Sequence, residues 1–227
     1  MKAQTYDFRD GNGPVPAHRH TRGGGWVADT AHVHESAYIG PDARVYGNAR
    51  VHGDAVVHDN ACVHGDAWVD NAWVHDNARV YDNARVYSNA RVHGNAWVHG
   101  DAWVDNAWVH GDALVYGKAR VYGNALVYGD ARVYGDAWVS GDAWVSGDAR
   151  VYGDARVKRG MYTSTPTSIT RSDGYMFTLQ SDGSIVAGCR DFTPDEAKAY
   201  WGHPEHHKHR ESMAIISAFN AIQTARS

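Results

Sequence analysis

The chain has 227 residues, room for one solenoid domain and one small domain, and its formal net charge of −4 gives no basic excess of the kind nucleic acid would demand. Two cysteines, Cys62 and Cys189, cannot build a disulfide framework, so a reducing, cytoplasmic setting is the expectation. No apolar run nears the ~20 residues of a membrane span, and no signal peptide or membrane partner is expected.

Residues 1–24 precede the regular pattern and are expected to cap it, because the open end of a stacked fold exposes strand edges. From Gly25 ("GWVADT") the chain repeats a unit A-x-V-x-G-[DN], 23 times in all, to about residue 160. Ala and Val two apart face one side of an extended strand, and the x residues face the other. Gly-Asp and Gly-Asn turn the chain, since Gly and Asn tolerate positive φ. Each unit is therefore a short strand and a corner. Such a strand cannot bury itself, but stacked coils bury a continuous column of Val and Ala. Gly-Asp at every period rules out an amphipathic helix, and the apolar column rules out disorder.

The units, as in "VYGNAR" at Val45–Arg50, resemble those of the hexapeptide-repeat family of left-handed parallel β-helices. That resemblance implies a mainly β fold with three flat faces per coil and a left-handed wind. Twenty-three units then make about seven and a half coils, a rod on the order of 36 Å long. The opening "FRDGNGPVPAHRHTRGGGWVADTA" resembles the start of phage- and prophage-encoded solenoids.

Twice the unit shortens to five residues, in "AWVDNAWV" at Ala67–Val74 and at Ala102–Val109. Counting each short unit as a full strand and corner aligns the outward residues. One face reads Arg50, Trp68, Arg85, Trp103, Arg120, Trp138, Arg156. The next reads Val56, Trp73, Arg91, Trp108, Leu126, Trp144, and the third reads Arg44, Cys62, Arg79, Trp97, Leu114, Arg132, Arg150. Residues 67–101 and 102–136 agree at 24 of 35 positions, which points to duplication of a two-coil block. Guanidinium and indole in neighbouring rows can support each other, so the ladder has a structural role in stacking and solubility. It also offers a flat platform for a protein or glycan, for which Trp68, Trp73, Trp103, Trp108, Trp138, Trp144, Arg85 and Arg120 are the candidate binding residues. The edge joining Trp68 to Trp73, and Trp103 to Trp108, is the expected contact point.

His and Tyr follow each Val, and one face should stack His58, His75, His93 and His110, a set that would suit Zn, Cu or Ni. Exposed β-favouring residues are the simpler reading, and no metal or cofactor is expected.

Residues 161–227 differ in kind. "SITRSDGYMFTLQSDGSIVAGC" predicts three strands in an antiparallel meander. "TPDEAKAYWG" predicts a helix with Thr193 as N-cap, Pro194 at the first position, Glu196 closing a capping box and Gly202 as stop. A second helix is expected over about 205–224. "GCRDFTPDEAKAYWG" resembles a small α+β domain attached to phage-type solenoids. "WGHPEHHKHRE" gathers His203, His206 and His207, candidate metal ligands set against the plainer reading of a solvated helix start.

Many hexapeptide-repeat proteins are acyltransferases. That resemblance implies trimers, an acyl-CoA groove between neighbours and a histidine base. Here no loop breaks the repeat and every outward His occupies a repeated slot, so no catalytic residue is assigned. The reading from sequence is a non-enzymatic rigid binding or assembly module. An acyl-CoA-dependent transferase and a self-assembling solenoid are the alternatives.

Overall fold

The computed structural model describes residues 4–225, so residues 1–3 of the expected cap and 226–227 of the expected C-terminal domain lie outside the described residues. Every Val of the repeat from Val45 to Val157 is fully buried, and the Ala two residues before it is buried with it. Burying each such Val contributes roughly 1.5–3 kcal/mol, and the side chains form one unbroken column.

Parallel strands climb the rod in three faces. The Arg/Trp face pairs Arg50 with Trp68, Trp68 with Arg85, Arg85 with Trp103, Trp103 with Arg120, Arg120 with Trp138 and Trp138 with Arg156. The second face pairs Val56 with Trp73, Trp73 with Arg91, Arg91 with Trp108, Trp108 with Leu126 and Leu126 with Trp144. The third face runs from Trp26 through Arg44, Cys62, Arg79, Trp97, Leu114 and Arg132 to Arg150. Cys62, in an outward slot, is nevertheless buried at 6 % exposure.

The solenoid has about eight coils rather than seven and a half. The extra strand is Gly160–Met161–Tyr162, which pairs with Ala143–Trp144–Val145 after the A-x-V signature has ended. Tyr162 fills the slot of the inward Val, and burial pushes its hydroxyl pKa up to about 12.

Both ends of the rod are covered. At the start, a hairpin of Thr5–Asp7 and Pro14–Arg19 pairs antiparallel onto Trp26–Ala28. Its Tyr6 ring stacks on Trp26 at 4.4 Å and its Phe8 on Tyr46 at 4.8 Å. The buried His20 bonds the Ala37 carbonyl at 3.0 Å. At the far end, Arg156 N–H donates to Thr178 Oγ1 at 3.3 Å and Lys158 N–H to Gln180 Oε1 at 2.9 Å. The Gln180 amide returns a bond to the Arg156 carbonyl at 2.8 Å.

Those partners belong to a sheet of four antiparallel strands, Ser168–Thr170, Met176–Leu179, Ile185–Ala187 and Arg190–Phe192. The fourth strand is absent from the sequence reading, which took three. Helix α1 spans Pro194–Trp201 with the full Thr193–Glu196 capping box and Gly202 at its end. Helix α2 spans His209–Thr224. It starts later than the expected 205, because Pro204 opens a run of turns and Lys208 sits at φ 60° immediately before the helix. Phe177, Ile185, Trp201, Ile216 and Phe219 close the core between sheet and helices. Arg171, almost buried, is held by Asp173 at 2.7 Å and by Ser212 Oγ at 2.9 Å, and its bonds hold the Asp173 carboxyl well below its usual range.

Candidate functional site

The corners decide what the faces carry. In six-residue corners a Gly such as Gly111 adopts φ 72°, and an added Cβ would stand 2.8 Å from Gly129 N in the next coil. In the five-residue corners Asn71 and Asn106 take that left-handed position, at φ 53° and 54°. Both short corners leave the Arg/Trp face, so the registers above and below them stay in phase.

On the Arg/Trp face each Arg lies against an indole. Arg50 sits 5.9 Å from the Trp68 ring and Arg85 5.9 Å from Trp103. Arg120 sits between two, 5.8 Å from Trp103 and 5.0 Å from Trp138, and Arg156 lies 4.3 Å from Trp138. Each contact contributes about 0.5–1 kcal/mol at an exposed site. Tyr87 and Tyr122, at the corner leaving this face, meet Trp103 and Trp138 edge-on at 5.5 and 6.1 Å and fix the indole orientation. None of Arg50, Arg85, Arg120 and Arg156 is paired with a carboxylate among the described residues.

A groove of about 550 Å³ runs along this face. Arg85, Trp103, Arg120, Trp138 and Arg156 form its floor, and Asn83, Asp101, Lys118, Asp136 and Asp154 line it from the preceding corner. Of the candidate residues, Arg85, Trp103, Arg120 and Trp138 thus share one groove. Trp68 lies lower on the same face, and Trp73, Trp108 and Trp144 lie on the second face. Trp73 and Trp108 share Arg91, at 5.3 and 4.7 Å, whereas Trp144 lies between Leu126 and Met161. This groove runs on the side of the Arg/Trp face away from the short corners. A smaller one of about 190 Å³, lined by Trp103, Asp105, Arg120, Tyr122 and Trp138, opens toward the Trp103–Trp108 edge, and the Trp68 and Trp73 rings make no contact with each other among the described residues. The row of Asp and Asn before each Ala was the available signal for the rim. From sequence these residues read mostly as turn formers whose rows also leave acidic edges, and Arg156 ends the aligned Arg/Trp row outside the candidate set.

Two ring stacks climb the other corners. Tyr46, His64, Tyr81, His99, Tyr116, Tyr134 and Tyr152 lie face to face at 4.7–5.5 Å. His58, His75, His93 and His110 stack at 4.9, 4.7 and 4.8 Å, as the aligned repeat implied. Burial holds the pKa of His64, His93, His99 and His110 below the usual imidazole value, with the neighbouring His75 and His110 adding to this at His93. A bond from Gly94 N–H lowers that of Asp76.

The C-terminal histidines do not converge. His203 accepts a backbone bond from His206, the His206 ring packs on Trp201 at 4.4 Å, and His207 Nε2 lies 3.7 Å from Asp173. Among the described residues, three-ligand groupings occur instead on the His column.

This geometry defines a β-solenoid protein whose outward rows form ladders. The YdcK Beta solenoid repeat family matches it at residues 43–59, 78–94, 84–100, 119–133 and 131–147. No curated protein matches the chain. Among solved structures, a UDP-N-acetylglucosamine acyltransferase from Campylobacter jejuni is similar at 14 % identity and a TM-score of 0.40, over 82 % of each chain. Among the described residues no helix is long and apolar enough to cross a membrane.

Proposed function

We propose that this chain is a rigid, non-enzymatic binding module whose Arg/Trp face holds an extended glycan. A phage or prophage setting, implied by the resemblance of its N-terminal segment, belongs to the same proposal. The observation that carries it is Arg120, an exposed guanidinium without a carboxylate partner, set between Trp103 and Trp138 in a groove edged by Asp101, Asp136 and Asp154. Indole faces accept the C–H faces of sugar rings, while Arg and Asp together supply donors and acceptors for hydroxyls. Indoles recur every second coil, about 9.6 Å apart, so the pattern suits a repeating linear ligand. The stacked backbone holds these groups in place before binding, which lowers the ordering cost.

A protein partner is less well matched. The buried centre of a protein interface is depleted of Lys and Asp, and here Asp101, Lys118, Asp136 and Asp154 line the groove beside its Trp residues. The outward histidines occupy repeated stacked positions, which singles none out as a base, so no observation favours the transferase reading. A glycan array probed with the purified chain tests the proposal. The Trp68→Ser/Trp103→Ser/Trp138→Ser variant should keep the fold and lose the signal. A wild-type chain that binds no glycan would remove the reading, and saturable acyl-CoA binding by a trimer would replace it.

A further inference from the structure

The corner between the second and third faces holds a different chemistry. His75 Nδ1 lies 3.3 Å from Asp76 Oδ2, and His93 Nδ1 lies 3.7 Å from the same oxygen. The three ligand atoms are within 4.8 Å of one another. Ligands on a tetrahedral ion with bonds of 2.0–2.2 Å stand about 3.4 Å apart, so both nitrogen–oxygen spacings already approach what such an ion requires. The remaining closure is between the two nitrogens. The rings are parallel at 4.7 Å and half-buried, and an ion between them requires each ring to tilt out of the stack so that its nitrogen converges on the other.

Two further features hold this carboxylate in place, and Asp59 one coil below shares both, at φ 55° and with the Asp76 N–H donating to its Oδ2 at 3.3 Å. Asp76 adopts φ 59°, the left-handed position that Gly94, Gly111 and Gly129 occupy in the coils above it. Carboxylate is kept there at a conformational cost. Its Oδ2 also accepts the Gly94 N–H at 3.0 Å, which orients it as outer-shell bonds orient metal ligands. The grouping one coil below, His58, Asp59 and His75, also has its ligand atoms within 4.8 Å of one another but is looser: His58 Nδ1 lies 2.9 Å from Asp59, whereas His75 pairs with Asp76, and the shared His75 lets only one of the two groupings hold an ion at a time.

We propose that His75, Asp76 and His93 hold one divalent transition-metal ion of the zinc class, leaving a fourth position open. Two imidazoles and a carboxylate suit Zn²⁺ or Co²⁺ over Mg²⁺ or Ca²⁺, which prefer all-oxygen sites. The ion takes the place of the contact between Nδ1 and Oδ2, and each neutral ring carries its proton on Nε2.

The test is calorimetric titration of the full chain with Zn²⁺ alone, repeated in a background where His203, His206 and His207 are replaced by Ala to remove competing ligands. One ion should bind per chain in both. In that background Asp76→Gly, which restores the residue the turn prefers and so keeps the fold, should weaken binding about tenfold or more. His110→Ala, one coil beyond the site, should leave it unchanged. Co²⁺ should give the intense visible absorption of a tetrahedral site in the wild type and lose it in Asp76→Gly. Absence of saturable binding in the background chain, or unchanged affinity in Asp76→Gly, would overturn the assignment.

Discussion

The side-chain carbonyl of Asn71 accepts the backbone N–H of Asp54 at 3.0 Å. In a six-residue corner that role belongs to a backbone carbonyl, as when Asn95 N–H donates to Gly111 O at 2.8 Å. One side-chain amide therefore replaces the peptide that the five-residue corner lacks. Asn106 does the same for Asn89 at 3.4 Å. Asn71→Gly keeps the left-handed turn but loses the acceptor and should cost about 1 kcal/mol. Asn71→Ala adds the left-handed penalty and should cost roughly 2–3 kcal/mol in urea unfolding. Equal stability of the Gly variant and the wild type would contradict this account of the short corner.

Close approach of the coils makes a second prediction. Gly111→Ala introduces a Cβ 2.8 Å from Gly129 N at a φ of 72° and should destabilise by about 2–4 kcal/mol. Gly174→Ala, with similar φ but open space, should cost only about 1–2 kcal/mol. Denaturation midpoints of the two variants provide the comparison.

Gln180 is almost wholly buried, and its amide serves the Lys158 N–H, the Arg156 carbonyl and the Tyr162 hydroxyl. Gln180→Ala should cost roughly 3 kcal/mol, because it leaves buried partners unsatisfied. It should also loosen the cover on the last coil, so sedimentation at raised concentration should show self-association through the strand edge. A monomer as stable as the wild type would show that the cover is dispensable.

Acid should weaken the fold in two stages. Burial lowers the folded-state pKa of His64, His93, His99 and His110, so below the unfolded value of about 6.5 the unfolded chain binds more protons. Their contribution is full above that pH and is lost as pH falls beneath it. Glu211 is held down to about 2 by Lys208 and Ser172, so its contribution is full above the unfolded value of about 4.3 and fades toward 2. Thermal midpoints should drop first between about pH 7 and 5, and again below about 4. His93→Phe/His110→Phe should flatten the first drop and leave the second.

The alignment of Arg50, Trp68, Arg85 and Trp103 on one face was legible because a six-residue period fixes which residues stack, provided the five-residue unit still counts as one strand. The closing strand at Gly160–Tyr162 was not legible, since Tyr162 replaces the Val that marks each coil and is stabilised by contacts with Gln180 and Ser181 from distant sequence. Arg190–Phe192 escaped for a similar reason: its three residues read as a strand only beside Ile185–Ala187. The groove itself depends on a rim from the neighbouring corner. Repeat spacing names the Trp and Arg of the floor, but not the side of the rod on which Asp101 and Asp136 enclose them.

The most direct test of the ladder as a binding surface compares two faces of one rod. Trp103→Ser/Trp138→Ser alters the groove floor, whereas Trp97→Ser alters the third face, where Trp97 has the same kind of contact with Arg79 at 5.0 Å. On a glycan array the groove variant should lose the wild-type signal, and the Trp97 variant should retain it. Equal retention by both variants, or equal loss in both, would contradict a ligand seated between Trp103, Arg120 and Trp138.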